Sequence, residues 1–250
     1  MIVLPGVPGL PGFPGPIIEL TALSKDYHGL RPLRIEKLVL AEGDLVAILG
    51  LDQPMAETFI NLVTGATLPD RGEVKVFGRL TTAIDDSTDW LSVVDRFGIV
   101  SERAVLLDAL SVIQNLAIPF TLDIDPPPDD VRERASLLAR EVGLREADWP
   151  RSVSELDAAG RLRIRLARAL ALDPNVLLLE HANAGLPADA GVALGGDIRR
   201  IASTRGCALV ALTAAPPFAA AVAPQVLTLD AATGRLSERR RNWSLFRRGE

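Results

Sequence analysis

Short apolar runs alternate with amphipathic stretches along most of this chain. The runs at 45–49 (LVAIL) and 176–180 (VLLLE) are almost entirely apolar, which favours strands buried on both faces of a sheet. The stretches at 56–65 and 160–172 repeat apolar residues at helical spacing and predict helices. Because strands and helices alternate in this way, the pattern predicts an α/β fold with a largely parallel core sheet.

Weaker patterns extend this alternation toward both ends of the chain. Further strands are predicted at 17–23, 33–40, 72–78, 207–213 and 226–230, and further helices at 131–144 and 197–206. Helices dominate between about residues 88 and 160, which indicates a helical subdomain. We therefore expect one domain over residues 17–236, with this subdomain inside it.

Both ends of the chain differ in composition from the predicted domain. Residues 1–16 repeat Pro-Gly every three positions, which is too few triplets for a collagen-like helix, and we expect a flexible arm. Residues 237–250 interleave arginines with Trp243, Leu245 and Phe246. Such a basic amphipathic tail lies on anionic lipid, docks on a partner or forms a disordered solubilising end, and the sequence leaves these three interpretations open.

Composition and charge exclude several classes of function. Of 250 residues, 48% are hydrophobic, enough to bury a core, and one Cys with two His could build neither a disulfide framework nor a zinc site. The net charge is −5 although six arginines lie near the C-terminus, so the body is acidic and a poor binder of nucleic acid. No apolar run could span a bilayer and no signal peptide is apparent, which predicts a soluble cytosolic protein.

The unit at 45–65 joins a buried strand to a helix through a short loop. In a phosphate-binding loop of this shape, backbone N–H groups and the helix N-terminus hold the anion, while a Lys and a hydroxyl serve the phosphates and Mg²⁺. With the following NLVTGATLPDRGEVKVFG, the unit resembles the ATP-binding subunit of ABC transporters. Residues 161–187 (RLRIRLARALALDPNVLLLEHANAGLP) resemble that family's segment from the signature motif through the Walker B strand.

The resemblance covers residues 17–236 and implies a P-loop NTPase-like fold. That fold has a parallel core sheet, a small antiparallel β subdomain and a helical subdomain. The resemblance also implies ATP and Mg²⁺ as cofactors, ATP hydrolysis as the activity, and a membrane permease as partner. It further implies a homodimer, or a heterodimer with another ABC subunit, at the cytoplasmic face of the inner membrane.

The segment 96–120 (RFGIVSERAVLLDALSVIQNLAIPF) carries a narrower resemblance. It is similar to the stretch after the Q-loop in the Mla/Mce-type lipid-trafficking ABC subunits, and the later helix ending REVGL agrees with it. This resemblance implies a role in lipid trafficking. It also implies that the chain contacts its permease through the part from Ser101 to Asn115.

The positions that would bind phosphate in this family carry different side chains here. Ala56 stands at the lysine position, and Glu57 stands at the hydroxyl position that ligates Mg²⁺. Exchanging a cation and a hydroxyl for a methyl and a carboxylate turns attraction into repulsion, because one unit charge at 4 Å is worth ~4 kcal/mol at an effective dielectric near 20. The altered loop comprises Gly50, Leu51, Asp52, Gln53, Pro54, Met55, Ala56, Glu57 and Thr58.

The other motifs of the family are altered in the same way. Ser101 stands at the Q-loop glutamine, and Ala214 stands at the switch histidine. Glu180 replaces the Walker B aspartate, and His181 replaces the glutamate that would polarise the attacking water. The signature positions are Leu156, Asp157, Ala158, Ala159 and Gly160. Asp157 places a negative charge where the motif would receive the γ-phosphate.

Several of these residues have a structural interpretation beside the functional one. Tyr27 stands where the family places an aromatic under adenine, or it caps the small sheet. Glu180 is a buried polar cap of its strand or a ligand of a hydrated metal, and His181 is a hydrogen-bonded loop residue or a general base. Asp52 and Glu57 lie at a helix start, where the dipole favours acids, so we expect this start to be capped without a ligand.

The residues leave three functions open. The first is a non-hydrolysing ABC subunit that acts as scaffold or regulator of a membrane transport complex, with no resident metal. The alternative is a divergent ATPase that uses Glu180 with a metal and His181 as base, its missing cation supplied by a partner or by an arginine. The third is a soluble interaction module without a transporter.

Overall fold

The computed structural model describes residues 15–84 and 86–238. The expected arm at 1–16 and the tail at 237–250 therefore lie almost entirely outside the described residues. In chain order the strands are β1 (Ile18–Lys25), β2 (Leu33–Leu40), β3 (Leu45–Leu49), β4 (Arg71–Val76), β5 (Arg79–Leu80), β6 (Phe97–Val100), β7 (Val176–Glu180), β8 (Ala208–Leu212), β9 (Gln225–Asp230) and β10 (Arg235–Glu238). The helices are α1 (Gln53–Val63), α2 (Ser87–Val94), α3 (Val112–Ala117), α4 (Asp129–Glu141), α5 (Ala158–Leu170), α6 (Ala188–Arg205) and α7 (Pro216–Val222).

A six-stranded sheet with the order β10-β9-β3-β8-β7-β6 forms the centre of the fold. Its strands pair in parallel except β10, which runs antiparallel to β9. Every residue of β7 is buried, and Leu177 and Leu179 pack into one core cluster while Val176 and Leu178 pack into another. The central strands β3, β8 and β7 are apolar at nearly every position because helices or the second sheet cover both of their faces.

A four-stranded antiparallel sheet with the order β2-β1-β4-β5 covers one face of α1. Leu20 of β1 lies opposite Leu38 of β2 on one side and Val74 of β4 on the other, and all three are buried. They share a core cluster with Phe59 of α1, which is fully buried. This sheet therefore fixes α1, and the loop before it, against the central sheet.

Helices α3, α4 and α5 pack together beyond the β6 edge of the central sheet. Asn115 of α3 is fully buried, and its side chain accepts a hydrogen bond from the N–H of Leu107 and donates to the carbonyl of Ser111. The range 88–160 holds α2, α3 and α4, and it also holds β6 of the central sheet.

The α/β fold with a parallel core sheet, an antiparallel β sheet and a helical part is confirmed. Strand β6, the short strands β5 and β10 and the Ala-rich helix α7 are additions that the apolar pattern did not predict. No helix in the described part of the chain is both long and apolar enough to cross a bilayer.

Candidate functional site

Most of the altered motif residues meet at one edge of the central sheet. The carboxyl ends of parallel strands share an edge, and in α/β sheets this edge is where ligands bind. Here β3 leads into α1, β6 leads into Ser101, β7 ends at Glu180, and β8 leads toward Ala214. The signature positions begin α5, which lies in a different part of the chain and approaches Ser101 across a cavity.

The loop between β3 and α1 is closed by its own side chains. Gly50 has a φ of +95°, and a Cβ there would lie 2.7 Å from the carbonyl oxygen of Leu229, so only glycine fits. Asp52 is the N-cap of α1, and its Oδ1 accepts a hydrogen bond of 2.9 Å from the N–H of Met55. Pro54 lies in the first turn, where a missing N–H is tolerated. The expected capping of this helix start by Asp52 is confirmed.

The side chains of α1 that face inward belong to the core. Ala56 is fully buried, and Met55 and Leu51 are nearly so, all within the cluster shared with the antiparallel sheet. Thr58 donates its hydroxyl to the carbonyl of Pro54 at 2.7 Å, so that hydroxyl is engaged within the helix. The residues at 50–58 thus present no cationic side chain and no free hydroxyl near the helix start.

Arg103, which the sequence analysis did not single out, contacts both acidic replacements. Its Nη2 lies 2.5 Å from Oε2 of Glu180 and its Nη1 lies 3.0 Å from Oε1 of Glu57. Gln53 also donates its side-chain amide to Glu180. Hydrogen bonding to Glu180 raises the pKa of the Arg103 guanidinium further above its usual value. Glu57 therefore differs from the expectation for it, because it pairs with Arg103 rather than helping to cap α1.

The three remaining replacements at this edge lie on loops. Ser101 is buried, and its Oγ accepts a hydrogen bond from the N–H of Arg103 at 3.1 Å. His181 has a φ of +44°, donates its N–H to the carbonyl of Leu212, and has a buried Nε2 with no hydrogen-bond partner among the described residues. Ala214 is exposed and offers only a methyl group.

The signature positions form the capped start of α5. Asp157 is the N-cap, and its Oδ1 accepts a hydrogen bond of 2.7 Å from the N–H of Gly160. Leu156 packs against the core, whereas Ala158 is exposed. Ala159, the remaining position, is half-buried. Leu156 and Ala158 line a cavity of about 340 Å³ together with Ser101, Arg161 and Arg165.

Tyr27 lies in the loop after β1, half-buried against the core cluster that contains α1. Burial and the nearby carboxylate of Asp52 raise the pKa of its phenol. The ring thus lies near the loop that precedes α1, and its contact with the core agrees with a structural role. Among the described residues there is no group of three or more His, Cys, Asp or Glu side chains that could hold a metal ion.

Comparison with known proteins relates the chain to one family. A model described as ABC transporter matches residues 37–184. The methionine import ATP-binding protein MetN of Brucella abortus is 27% identical over 92% of this chain and 61% of its own length. The sulfate/thiosulfate import ATP-binding protein CysA of Bordetella bronchiseptica is 31% identical over 88% of this chain and 61% of its own. The chain thus spans about three fifths of these relatives.

Solved structures agree in fold. The cbiO1 protein of Clostridium perfringens, part of the ABC transporter complex cbiONQ, has a TM-score of 0.74 at 20% identity and covers 89% of this chain and 87% of its own. The dimeric bacterial ABC transporter cassette MJ0796 has a TM-score of 0.71 at 20% identity over 88% of this chain and 98% of its own. On the family match, the chain belongs to the ABC transporters, as an ATP-binding cassette domain.

Proposed function

We propose that this chain is a non-hydrolysing ABC subunit that acts as a scaffold or regulator in a membrane transport complex. The observation that carries the proposal is the closed start of α1. Asp52 occupies the N–H group of Met55 that a phosphate would need, and the lysine position holds the buried methyl of Ala56. A phosphate would meet the carboxylates of Asp52 and Glu57 with no cationic side chain from α1 to offset them.

The described side chains do not fit a magnesium nucleotide. A metal between the loop and β7 would need ligand oxygens that are free of other cations, yet the carboxylates of Glu57 and Glu180 are both paired with Arg103. The guanidinium stands between these two carboxylates, so a divalent ion there would meet a positive charge at close range. We therefore assign no hydrolytic step to these residues.

A groove beside the helical part supports contact with a permease. It has a volume of about 360 Å³ and is lined mainly by residues of β6 and of the second half of α5, and Ala104 is the residue of the segment from Ser101 to Asn115 that reaches it. Leu172 in this lining and Val105, next to Ala104 in the chain, are exposed apolar side chains. A permease segment that buried them would remove apolar surface from water, which favours association.

The proposal also covers the transported substrate, the dimer partner, the location at the membrane and contact with lipid. Lipid trafficking rests on the resemblance of 96–120 to Mla/Mce-type subunits, whereas the curated relatives import methionine or sulfate. Pairing with itself or with another ABC subunit is supported by the dimeric form of MJ0796. A place at the cytoplasmic face of the inner membrane follows from a permease partner. The proposed contact of the tail with anionic lipid concerns residues outside the described part of the chain.

A divergent ATPase remains the second candidate, favoured by His181. The Nε2 atom of His181, directly after Glu180, is buried and has no hydrogen-bond partner among the residues that the structure describes, and an imidazole nitrogen can act as a general base. In this case the purified chain would hydrolyse MgATP and His181→Ala would abolish the hydrolysis. Under the first proposal the wild type shows no turnover above the background of the His181→Ala protein.

Thermal melting with and without millimolar MgATP tests the first proposal. We expect an unchanged melting temperature for the wild type, because a ligand stabilises a protein only if it binds the native state. The matched variant Ala56→Lys with Glu57→Ser restores the cation and the hydroxyl, and we expect it to bind MgATP at least tenfold more tightly than the wild type. A clear upward shift for the wild type would contradict the proposal.

A further inference from the structure

Arg103 joins three separate elements of the fold through one guanidinium. It lies on the loop after β6, while Glu57 lies on α1 and Glu180 ends β7. Its Nε lies 3.2 Å from both carboxylate oxygens of Glu180, and its Nη2 lies 2.5 Å from one of them. The side chain of Glu180 is 0% exposed, whereas those of Arg103 and Glu57 are each 43% exposed.

A buried carboxylate needs a cation and hydrogen-bond donors, because removing its charge from water is otherwise costly. Glu180 receives both from Arg103, and Gln53 adds one more donor from α1. Two acidic side chains and an amide therefore converge on a single place between α1 and β7. The buried carboxylate of Glu180 and the partly exposed carboxylate of Glu57 thus form a cation site, and a residue of the same chain fills it.

The loop that supplies the guanidinium is held at further points. Its residues Ala104 and Val105 accept hydrogen bonds through their carbonyls from Arg165 and Arg168 of α5, at 3.2 and 2.7 Å. These contacts join the loop to the helical part, while Arg103 joins the same loop to the core. The position of the loop is thus set on both sides by side chains of this chain.

We propose that the carboxylates of Glu57 and Glu180 form a cation site whose built-in occupant is Arg103, which fixes the loop at 101–107 to the core without any nucleotide. The groove beside this loop is then presented in one position whether or not ATP is present. The identity of the partner that uses the groove rests on the proposed function, but the cation site does not.

Hydrogen exchange of the backbone amides at 101–107 tests the fixing of the loop. Arg103→Met with Glu180→Gln removes both charges, so no unpaired charge remains buried and the variant can fold. We expect exchange in this segment to become about tenfold faster or more, because local opening loses its tie to the core. Arg132→Met, which breaks the exposed ion pair with Asp129, is the matched control and should leave the segment unchanged. Equal protection in the double variant and the wild type would overturn the proposal.

Binding of Mn²⁺ alone tests the cation site itself. Arg103→Met leaves the carboxylates of Glu57 and Glu180 without their cation, and carboxylate oxygens are ligands that Mn²⁺ accepts. We expect Mn²⁺ to raise the melting temperature of Arg103→Met, and to leave unchanged that of the wild type and of the variant that also carries Glu57→Gln and Glu180→Gln. Equal shifts in all three proteins, or none in Arg103→Met, would overturn the assignment. Binding of MgATP by the wild type would contradict the proposed function and leave both of these tests intact.

Discussion

Helices α1 and α5 are each preceded by an aspartate whose carboxylate accepts a hydrogen bond from the N–H of the third helical residue. Asp52 does this for Met55 at 2.9 Å, and Asp157 does it for Gly160 at 2.7 Å. The two starts differ in what surrounds them. Ala56 in the first turn of α1 is fully buried, whereas in the first turn of α5 Ala158 is exposed and lines a cavity.

The two helix starts show that an N-cap hydrogen bond and an ion pair are separate sources of stability. Both helix starts satisfy a backbone donor with an acid and so need no anion there. Within the described part of the chain, only the start of α1 is also tied to the core by ion pairs, from Glu57 through Arg103 to Glu180. We therefore expect that breaking the ion pair lowers the free energy of unfolding far more than removing either cap, and that the two caps contribute about equally.

The largest effect is expected from Arg103→Ala. This change leaves the carboxylate of Glu180 buried without its cation, and removing one partner of a buried ion pair costs about 3 kcal/mol. Equilibrium unfolding in urea measures the loss. Arg132→Ala breaks an exposed pair with Asp129 and should cost less than about 0.5 kcal/mol. Similar losses for the two variants would mean that the pairing at Glu180 contributes little.

An intermediate and matched effect is expected from the two caps. Asp52→Ala and Asp157→Ala each remove an N-cap acceptor, which costs about 1 kcal/mol of unfolding free energy. Asp52→Asn and Asp157→Asn keep the acceptor but not the charge, and should recover most of the loss. If Asp157→Ala left the free energy of unfolding unchanged while Asp52→Ala lowered it, the two helix starts would not share one capping mechanism.

The smallest effect is expected from Asp148 in the helical part. Hydrogen bonds from Arg145 and Arg151 hold the pKa of the Asp148 carboxyl below its usual value. Because the native pKa is lowered, this carboxylate stabilises the fold above its unfolded pKa of about 3.9, and the stabilisation is lost as the pH falls through the native pKa. Asp148→Asn should therefore lose less stability than the wild type between about pH 5 and pH 2 in urea titrations. Parallel losses in the two proteins would contradict this assignment.

The fold could be predicted from the sequence because its signals are local. The runs that became β3 and β7 are apolar at nearly every position, and α5 repeats apolar residues at helical spacing. Helix α7 gave no such signal, because its sequence PPFAAAV is short and has no polar face. Its place is set instead by packing on Gly195 of α6, a tertiary contact that no local pattern encodes.

The candidate site could be predicted only in part. The replacements at Ala56, Glu57 and Glu180 were readable as departures from a family pattern, and the cap at Asp52 followed from helix chemistry. Arg103 could not be found in this way, since it is 46 residues from one partner and 77 from the other. The signal available was chemical: two carboxylates in one site, Glu57 and Glu180, require a cation from somewhere in the chain.

Calorimetric titration of the wild-type protein with MgATP is the measurement that tests the central claim most directly. The closed start of α1 and the cation already paired with Glu57 and Glu180 predict no heat of binding at millimolar nucleotide. Binding with a Kd below about 100 μM would correspond to more than ~5 kcal/mol of favourable free energy. That result would contradict the account, because the described side chains would then have to admit the phosphates that we infer they exclude.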